Sequence, residues 1–387
     1  MKNFEYFNPV KISFGRGSVN SLGGFLKSEY SKVMLITGGG SVHKNGSYEK
    51  VMKNLAKREV VEFSGVEANP DFDTLMKAVE LARKEKPDLL LALGGGSVID
   101  GTKFIAGAVF FEEDDPWNIL RKGLRIKSAL PIVTVLTLPA TGSEVNDGAV
   151  ISRRKTEEKM VFKSPLVFPE FSIIDPDFTV TLPRRQLVNG IIDSFVHVCE
   201  QYLTVNTDAP LQYALSESIL KTLVERSENI LREPPDLDAR GMLMWCSSNA
   251  LNRYIGTGVV QDWTTHMIGH ELTALAGMDH AATLAVLLPG VLKYKINEKL
   301  EMLVRYAGNV WGISGSDPLE TVMQGIEATE KFFSELGAGV TLSEVAVDCS
   351  IIDRIVERFE KRRIILGENS DIYPEDVRKI LESRCGK

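Results

Sequence analysis

DLLLALGGGSVIDG, residues 88–101, is the stretch on which the fold turns. Leu89, Leu90, Leu91, Ala92 and Leu93 form an unbroken apolar run. A strand wetted on one face alternates apolar with polar, whereas a strand covered on both faces does not. The run ends in Gly94-Gly95-Gly96-Ser97, and a helix is expected to begin near Ser97. The same grammar appears on either side. VMLIT (33–37) runs into Gly38-Gly39-Gly40-Ser41, and IVTVLTL (132–138) runs into PATGSE (139–144). Between the strands lie helical stretches at 48–57 and 73–86, and a further strand, VVEF, at 60–63. In the second stretch Leu75, Ala78, Val79 and Ala82 recur at helical spacing. Apolar strands alternating with helices imply a parallel sheet with helices on both faces. Ligands of such sheets bind at the carboxyl ends of the strands, where these three small-residue turns fall.

After Pro183-Arg184-Arg185 the strand runs nearly vanish. Helices are expected at 190–203, 211–231, 241–254, 263–276 and 281–294, and the tail at 351–385 reads as surface helices. DPDFTVTLP (175–183), with two prolines, marks the boundary. The expectation is an α/β dinucleotide-binding domain over 1–182 and an all-helical domain over 183–387.

The chain has 387 residues, 44% apolar and 25% charged, which argues against disorder. A net charge of −7 with no basic block argues against nucleic acid as a partner. The four cysteines, at 199, 246, 349 and 385, form no CxxC pair. Their spacing argues against a disulfide framework and fits a reducing compartment. No apolar signal core is visible near the start, and the longest apolar stretch, around 281–289, is too short to span a bilayer. A cytoplasmic protein with no membrane partner is expected.

Four of the five histidines lie between residues 197 and 280. Asp193 and His197 stand at i, i+4 in NGIIDSFVHVCEQYL, on one face of an otherwise apolar helix. A buried aspartate and histidine need a partner, and a cation would serve both. His266 and His270 form a second such pair in WTTHMIGHELTALAG. His280 follows in the first turn of the next helix, with Asp279 as its cap. One carboxylate and three imidazoles from three helices suit Fe2+ or Zn2+. Each pair taken alone also fits an ordinary helix-surface interaction. HELTA (270–274) lacks the second histidine of a zincin motif.

GGGSVIDG is not a full GxGxxG, because Ile99 occupies the third glycine position. Its context still suits a pyrophosphate, with a buried strand before it and bare N–H groups of a helix start after it. Asp100 would accept from a ribose or amide group, or favour the helix dipole. Thr141, Gly142 and Ser143 supply a third polar rim. No Walker lysine is present, which excludes a P-loop ATPase.

TGGGS (37–41), GGGSVID (94–100), LPATGSEVNDGAVIS (138–152), the Asp193/His197 pair, WTTHMIGHELTA (263–274) and MDHA (278–281) occur in the order found in one family. The chain resembles the iron-dependent, group III alcohol dehydrogenases, closest to the butanol dehydrogenases and broad-range aldehyde reductases. The resemblance implies a dehydroquinate synthase-like fold, with a dinucleotide-binding domain, an all-α domain and the site in a cleft. It implies that Asp193, His197, His266 and His280 hold the metal. It implies cofactor contacts from Gly38, Gly39, Gly40, Ser41, Asn69, Gly94, Gly95, Gly96, Ser97, Asp100, Thr137, Leu138, Thr141, Ser143 and Lys159. His270 would not be a ligand but would stand beside the metal, near the substrate, where it is the candidate catalytic proton relay. A homodimer is the family's common state. Ala281 departs from the glycine found after the last histidine in many relatives.

The expected reaction is hydride transfer between a small primary alcohol or aldehyde and the nicotinamide. A carboxylate at position 39 would repel a 2′-phosphate, and Gly39 has none, with Ser41, His43 and Lys44 nearby. NADP(H) is therefore favoured, with NAD(H) second. Fe2+ is the expected ion, with Zn2+ second. Trp263, Met267 and Leu272 fit either a substrate pocket or core packing. Other readings are a zinc glycerol-type dehydrogenase, a cyclase of the same fold, a metal hydrolase, and a non-catalytic nucleotide-binding protein.

Overall fold

The computed structural model describes residues 1–112 and 115–386. Among the described residues eight strands are present: β1 (Lys11–Phe14), β2 (Lys32–Thr37), β3 (Glu59–Phe63), β4 (Leu89–Gly95), β5 (Ile132–Leu138), β6 (Gly148–Arg153), β7 (Glu158–Lys163) and β8 (Phe171–Ile174). Six of them form one parallel sheet in the order β1-β8-β5-β4-β2-β3, and β6 and β7 form an antiparallel pair. The three strands that end in small-residue turns, β2, β4 and β5, are therefore immediate neighbours.

The sheet explains its own sequence. Successive side chains of a strand point to opposite faces. Met34, Ile36, Leu90, Ala92, Ile132 and Leu136 enter one core with Phe104 and Ile105. Val33, Leu35, Leu89, Leu91, Leu93, Val133 and Val135 enter another with Val51, Leu55 and Phe178. Both faces are covered, so no polar alternation is left. The helix expected near Ser97 begins one residue earlier and runs over Gly96–Ala108.

The chain divides into two compact units. One comprises Phe7–Leu187 and Asn229–Asn252, the other Met1–Tyr6, Val188–Glu228 and Arg253–Lys387. The helix Leu237–Leu251 thus lies with the α/β unit although its sequence sits in the helical half. Ser248 Oγ donates to Glu144 Oε1 at 2.5 Å, and Arg240 Nη1 donates to the Thr179 carbonyl at 2.5 Å. These polar anchors hold the helix there, and no periodicity reports them.

The second unit is helical, with one isolated β-bridge between Leu366 and Ile372 among its described residues. Ile268 and Leu272 share a core there with the tail helices Ile351–Arg362 and Pro374–Glu382. The cysteine spacing argues against a disulfide framework, and this tail nevertheless holds one disulfide. Cys349 and Cys385, 36 residues apart, are bonded, with a Cα–Cα distance of 5.9 Å. Backbone hydrogen bonds Leu342 N–H to Arg384 O and Ser343 N–H to Cys385 O bring the two ends together. Spacing along the chain could not reveal that approach. Among the described residues no helix is long and apolar enough to cross a membrane.

Candidate metal and cofactor sites

The helix Arg184–Tyr202 carries Asp193, His197 and Glu200, spaced i, i+4 and i+7 on one face. Asp193 is 2% exposed and His197 4%. The helix Thr264–Ala276 supplies His266 and His270 and is stopped by Gly277, whose φ of 67° is open to glycine without penalty. After Asp279 the next helix, His280–Tyr294, starts on His280 itself. These two helices approach closely at Gly269, where an added Cβ would lie 2.6 Å from Thr283 Oγ1. A larger residue there would push His280 away from His266.

The side chains converge on Asp193 Oδ1. His197 Nδ1 lies 3.6 Å from it, His266 Nε2 3.6 Å and His280 Nε2 3.8 Å. Asp193, His266 and His280 form a mutually close set of donor atoms able to hold a metal ion, and the His197 ring stacks on His266 at 4.5 Å. His197 Nδ1 and His266 Nε2 are buried and have no hydrogen-bond partner among the described residues. An ion with ligands about 2.1 Å away in tetrahedral geometry spaces them about 3.4 Å apart, close to the distances found. The donor set thus fits a divalent transition ion. Burial pushes His197 down to about 4 against the pull of Asp193, so its imidazole is neutral and its lone pair is available. His266 goes the other way. Burial opposes its charge, but the Glu200 and Asp193 carboxylates outweigh that and raise it to about 9.

Glu200 escaped the sequence reading. It is buried, accepts the backbone N–H of His266 at 3.1 Å with Oε1, and pairs with His266 Nδ1 through Oε2. The signal was its spacing, three residues after His197 on the same face. Glu271, also overlooked, is buried beside His270. It accepts from Arg358 Nε at 2.5 Å and Arg362 Nη1 at 2.6 Å, tying the ligand-bearing helix to the tail. His270 is buried, its ring 6.5 Å from that of His266 and 5.5 Å from that of His280. Trp263 meets His197 and His266 edge-on. Met267 and Leu272 instead pack into the tail core.

In the α/β unit the glycine turns gather at the carboxyl ends of β2, β4 and β5. Gly94 and Gly96 are required by internal packing. A Cβ on Gly94 would lie 2.6 Å from Val98 Cγ2, and one on Gly96 only 2.2 Å from Thr141 Oγ1. Gly39 and Gly40 are different, because an added Cβ there would meet nothing within 4 Å. Asn69, at φ 52°, donates its N–H to Ser97 Oγ at 3.2 Å, joining two residues of the expected cofactor set. Asp100 is committed inside the protein. Its Oδ1 accepts from Ser143 Oγ at 2.5 Å, its Oδ2 accepts the Val150 N–H at 2.9 Å, and burial pushes its carboxyl up. Both carboxylate oxygens therefore clamp the β5 turn to β6. Thr137 and Lys159 are buried, Leu138 and Thr141 are partly exposed, and Ser41 is exposed.

Residues 9–176 match the family described as iron-containing alcohol dehydrogenase, and residues 187–385 match the C-terminal part of the same family. The chain is 46% identical over 386 residues to the NADPH-dependent aldehyde reductase YqhD of Escherichia coli, covering 99% of this chain and 100% of that one. It is 37% identical over 387 residues to the probable NADH-dependent butanol dehydrogenase 1 of Bacillus subtilis, with 99% and 100% covered. A crystal structure of E. coli YqhD matches with a TM-score of 0.97 at 46% identity over 99% of each chain. That of NADH-dependent butanol dehydrogenase A from Thermotoga maritima matches at 0.95 and 36% identity, over 100% of this chain and 99% of that one. The chain belongs to the iron-containing alcohol dehydrogenase family, in the subgroup of aldehyde reductases and butanol dehydrogenases.

Proposed function

We propose, from that membership and from the donor geometry, that the protein is an NAD(P)H-dependent alcohol dehydrogenase and aldehyde reductase. It transfers hydride between the nicotinamide and a small primary alcohol or aldehyde. The observation that carries the reading is the convergence of Asp193 Oδ1 with nitrogens of His197, His266 and His280, at 3.6, 3.6 and 3.8 Å, from three helices. These four residues would hold the ion, Fe2+ in this proposal and Zn2+ as the second candidate. Such an ion, when bound, supplies Lewis acidity toward the substrate oxygen.

The chain's own residues do the rest. Asp193 brings one negative charge to a buried set of imidazoles. Trp263, edge-on to His197 and His266, helps keep water from them. His270, beside His266 and His280, would carry the proton that alcohol oxidation releases. The turns at Gly38, Gly39, Gly40 and Ser41, and at Gly94, Gly95, Gly96 and Ser97, would hold the dinucleotide with Asn69, Thr137, Leu138, Thr141 and Lys159. Asp100 and Ser143 would act through each other to shape that rim. NADP(H) is the preferred cofactor in this proposal. Gly39 carries no carboxylate and faces open space, and Lys44 nearby is exposed. The enzyme would work as a homodimer, and elution as a monomer in size exclusion would overturn that point.

The test is anaerobic turnover of butyraldehyde by metal-reconstituted protein, with NADPH and NADH followed at the nicotinamide absorbance and Fe2+, Zn2+ or chelator added. Metal-dependent oxidation of NADPH is expected. A strong preference for NADH would refute the cofactor assignment. Full turnover in chelator would refute the metal.

A further inference from the structure

We propose that Glu200 is a positioning residue for the metal centre. It selects the nitrogen that His266 presents to the ion. The proposal rests on the metal reading above.

Glu200 directs both carboxylate oxygens to one residue. Oε1 accepts the backbone N–H of His266 at 3.1 Å, and Oε2 pairs with its ring Nδ1. The first bond fixes where the helix Thr264–Ala276 starts its ligand-bearing turn. The second fixes the ring. An imidazole that gives its Nδ1–H to a carboxylate keeps its lone pair on Nε2. Nε2 is the nitrogen that lies 3.6 Å from Asp193 Oδ1. Glu200 stands behind His266, on the ring nitrogen turned away from that oxygen, so it acts through the histidine and not on substrate.

The burial of both carboxylates fits a role inside the site. Asp193 and Glu200 are 2% and 5% exposed, and both lie on the helix Arg184–Tyr202. A second tether of Glu200 to the fold runs through its main chain. Its backbone carbonyl accepts the Asp262 N–H at 2.8 Å, and a side-chain substitution leaves that bond intact.

The experiment compares the parent with Glu200→Gln and Glu200→Asp, and with His266→Ala as the benchmark for a lost ligand. Each is stripped, and its Zn2+ affinity is measured by competition with a chromophoric chelator. Melting temperature and NADPH binding are measured alongside. The expected result for Glu200→Gln is a roughly 10–100-fold weaker Zn2+ affinity, with NADPH binding retained and turnover restored by raising free metal. Glu200→Asp, which keeps a carboxylate but shortens its reach to His266, should fall between it and the parent. A folded Glu200→Gln that holds Zn2+ as tightly as the parent would overturn the proposal. If neither variant folds, the parent decides. Histidine-15N spectra of the Zn2+-loaded protein should place a proton on His266 Nδ1 and the metal on Nε2, and the reverse assignment would overturn the proposal. If the parent binds no Zn2+ or Fe2+, the metal reading itself falls, and this one with it.

Discussion

Replacing Gly96 by alanine tests whether the glycine turn after β4 is built by packing as well as by the cofactor. The new Cβ would stand 2.2 Å from Thr141 Oγ1, 2.8 Å from its Cγ2 and 3.0 Å from its Cβ. Carbon atoms in contact rest about 3.5–4.0 Å apart, so the Thr141 turn must move. It has little room. Behind it Gly142, at φ 59°, already sits where a Cβ would be 3.0 Å from both Leu251 Cβ and the Ser247 carbonyl. Rotating Thr141 instead breaks the bond its Oγ1 accepts from the Ser143 N–H at 3.3 Å. Overpacking of this kind costs about 1–3 kcal/mol. The lost hydrogen bond adds about 1 kcal/mol. The sum, roughly 2–4 kcal/mol, corresponds to a melting point lowered by roughly 4–16 °C for a unit of this size. NADPH affinity, read by fluorescence titration, should fall about tenfold or more, because a 1 Å displacement of positioning groups is costly. Adding Thr141→Gly to Gly96→Ala should recover much of the melting temperature. A single variant that melts within about 1 °C of the parent and binds NADPH as well would refute the packing argument.

Three further outcomes are expected. His270→Ala should slow alcohol oxidation by about 10²-fold or more while the protein still retains metal, and unchanged rates across pH would remove it from the proton path. Asp262 is buried beside Lys299, whose ammonium lies 2.8 Å away; burial opposes its charge, but Lys299 and its hydrogen bonds hold its carboxyl down at about 2. Because that is below the unfolded value of about 3.9, its contribution is present above pH ~4 and lost as pH falls toward 2. Asp262→Asn should flatten that acid limb in pH-dependent melting, and an equally steep limb would refute the assignment. Burial pushes the Cys246 thiol up to about 12 and raises Cys199 as well, while Cys349 and Cys385 are paired. Native, unreduced protein should therefore show almost no thiol labelling at pH ~8, two thiols after unfolding, and four after reduction as well. Four thiols without reductant would exclude the pair.

The sequence by itself determined the α/β character of the first half, the helical second half, and the histidine cluster. Each of these rests on local regularity. Strands covered on both faces leave unbroken apolar runs, as at Leu89 to Leu93. Ligands on one helix face leave an i, i+4 mark, as at Asp193 and His197. Only the tertiary structure decided the rest, because those choices pair residues that no period connects. Glu200 meets His266 across 66 positions. Cys349 finds Cys385 across 36, so that two cysteines with no recognisable spacing are bonded. Ser248 reaches Glu144 across 104, which draws the helix Leu237–Leu251 into the α/β unit although its sequence reads like its helical neighbours. Asp100 looked like a ribose contact from its place after the glycines. Folding also brings Ser143 and the Val150 N–H to its two oxygens, partners that no local pattern announces. Hydrophobic period is a local consequence of which face is dry, whereas a buried polar atom must find its partner wherever the fold supplies one.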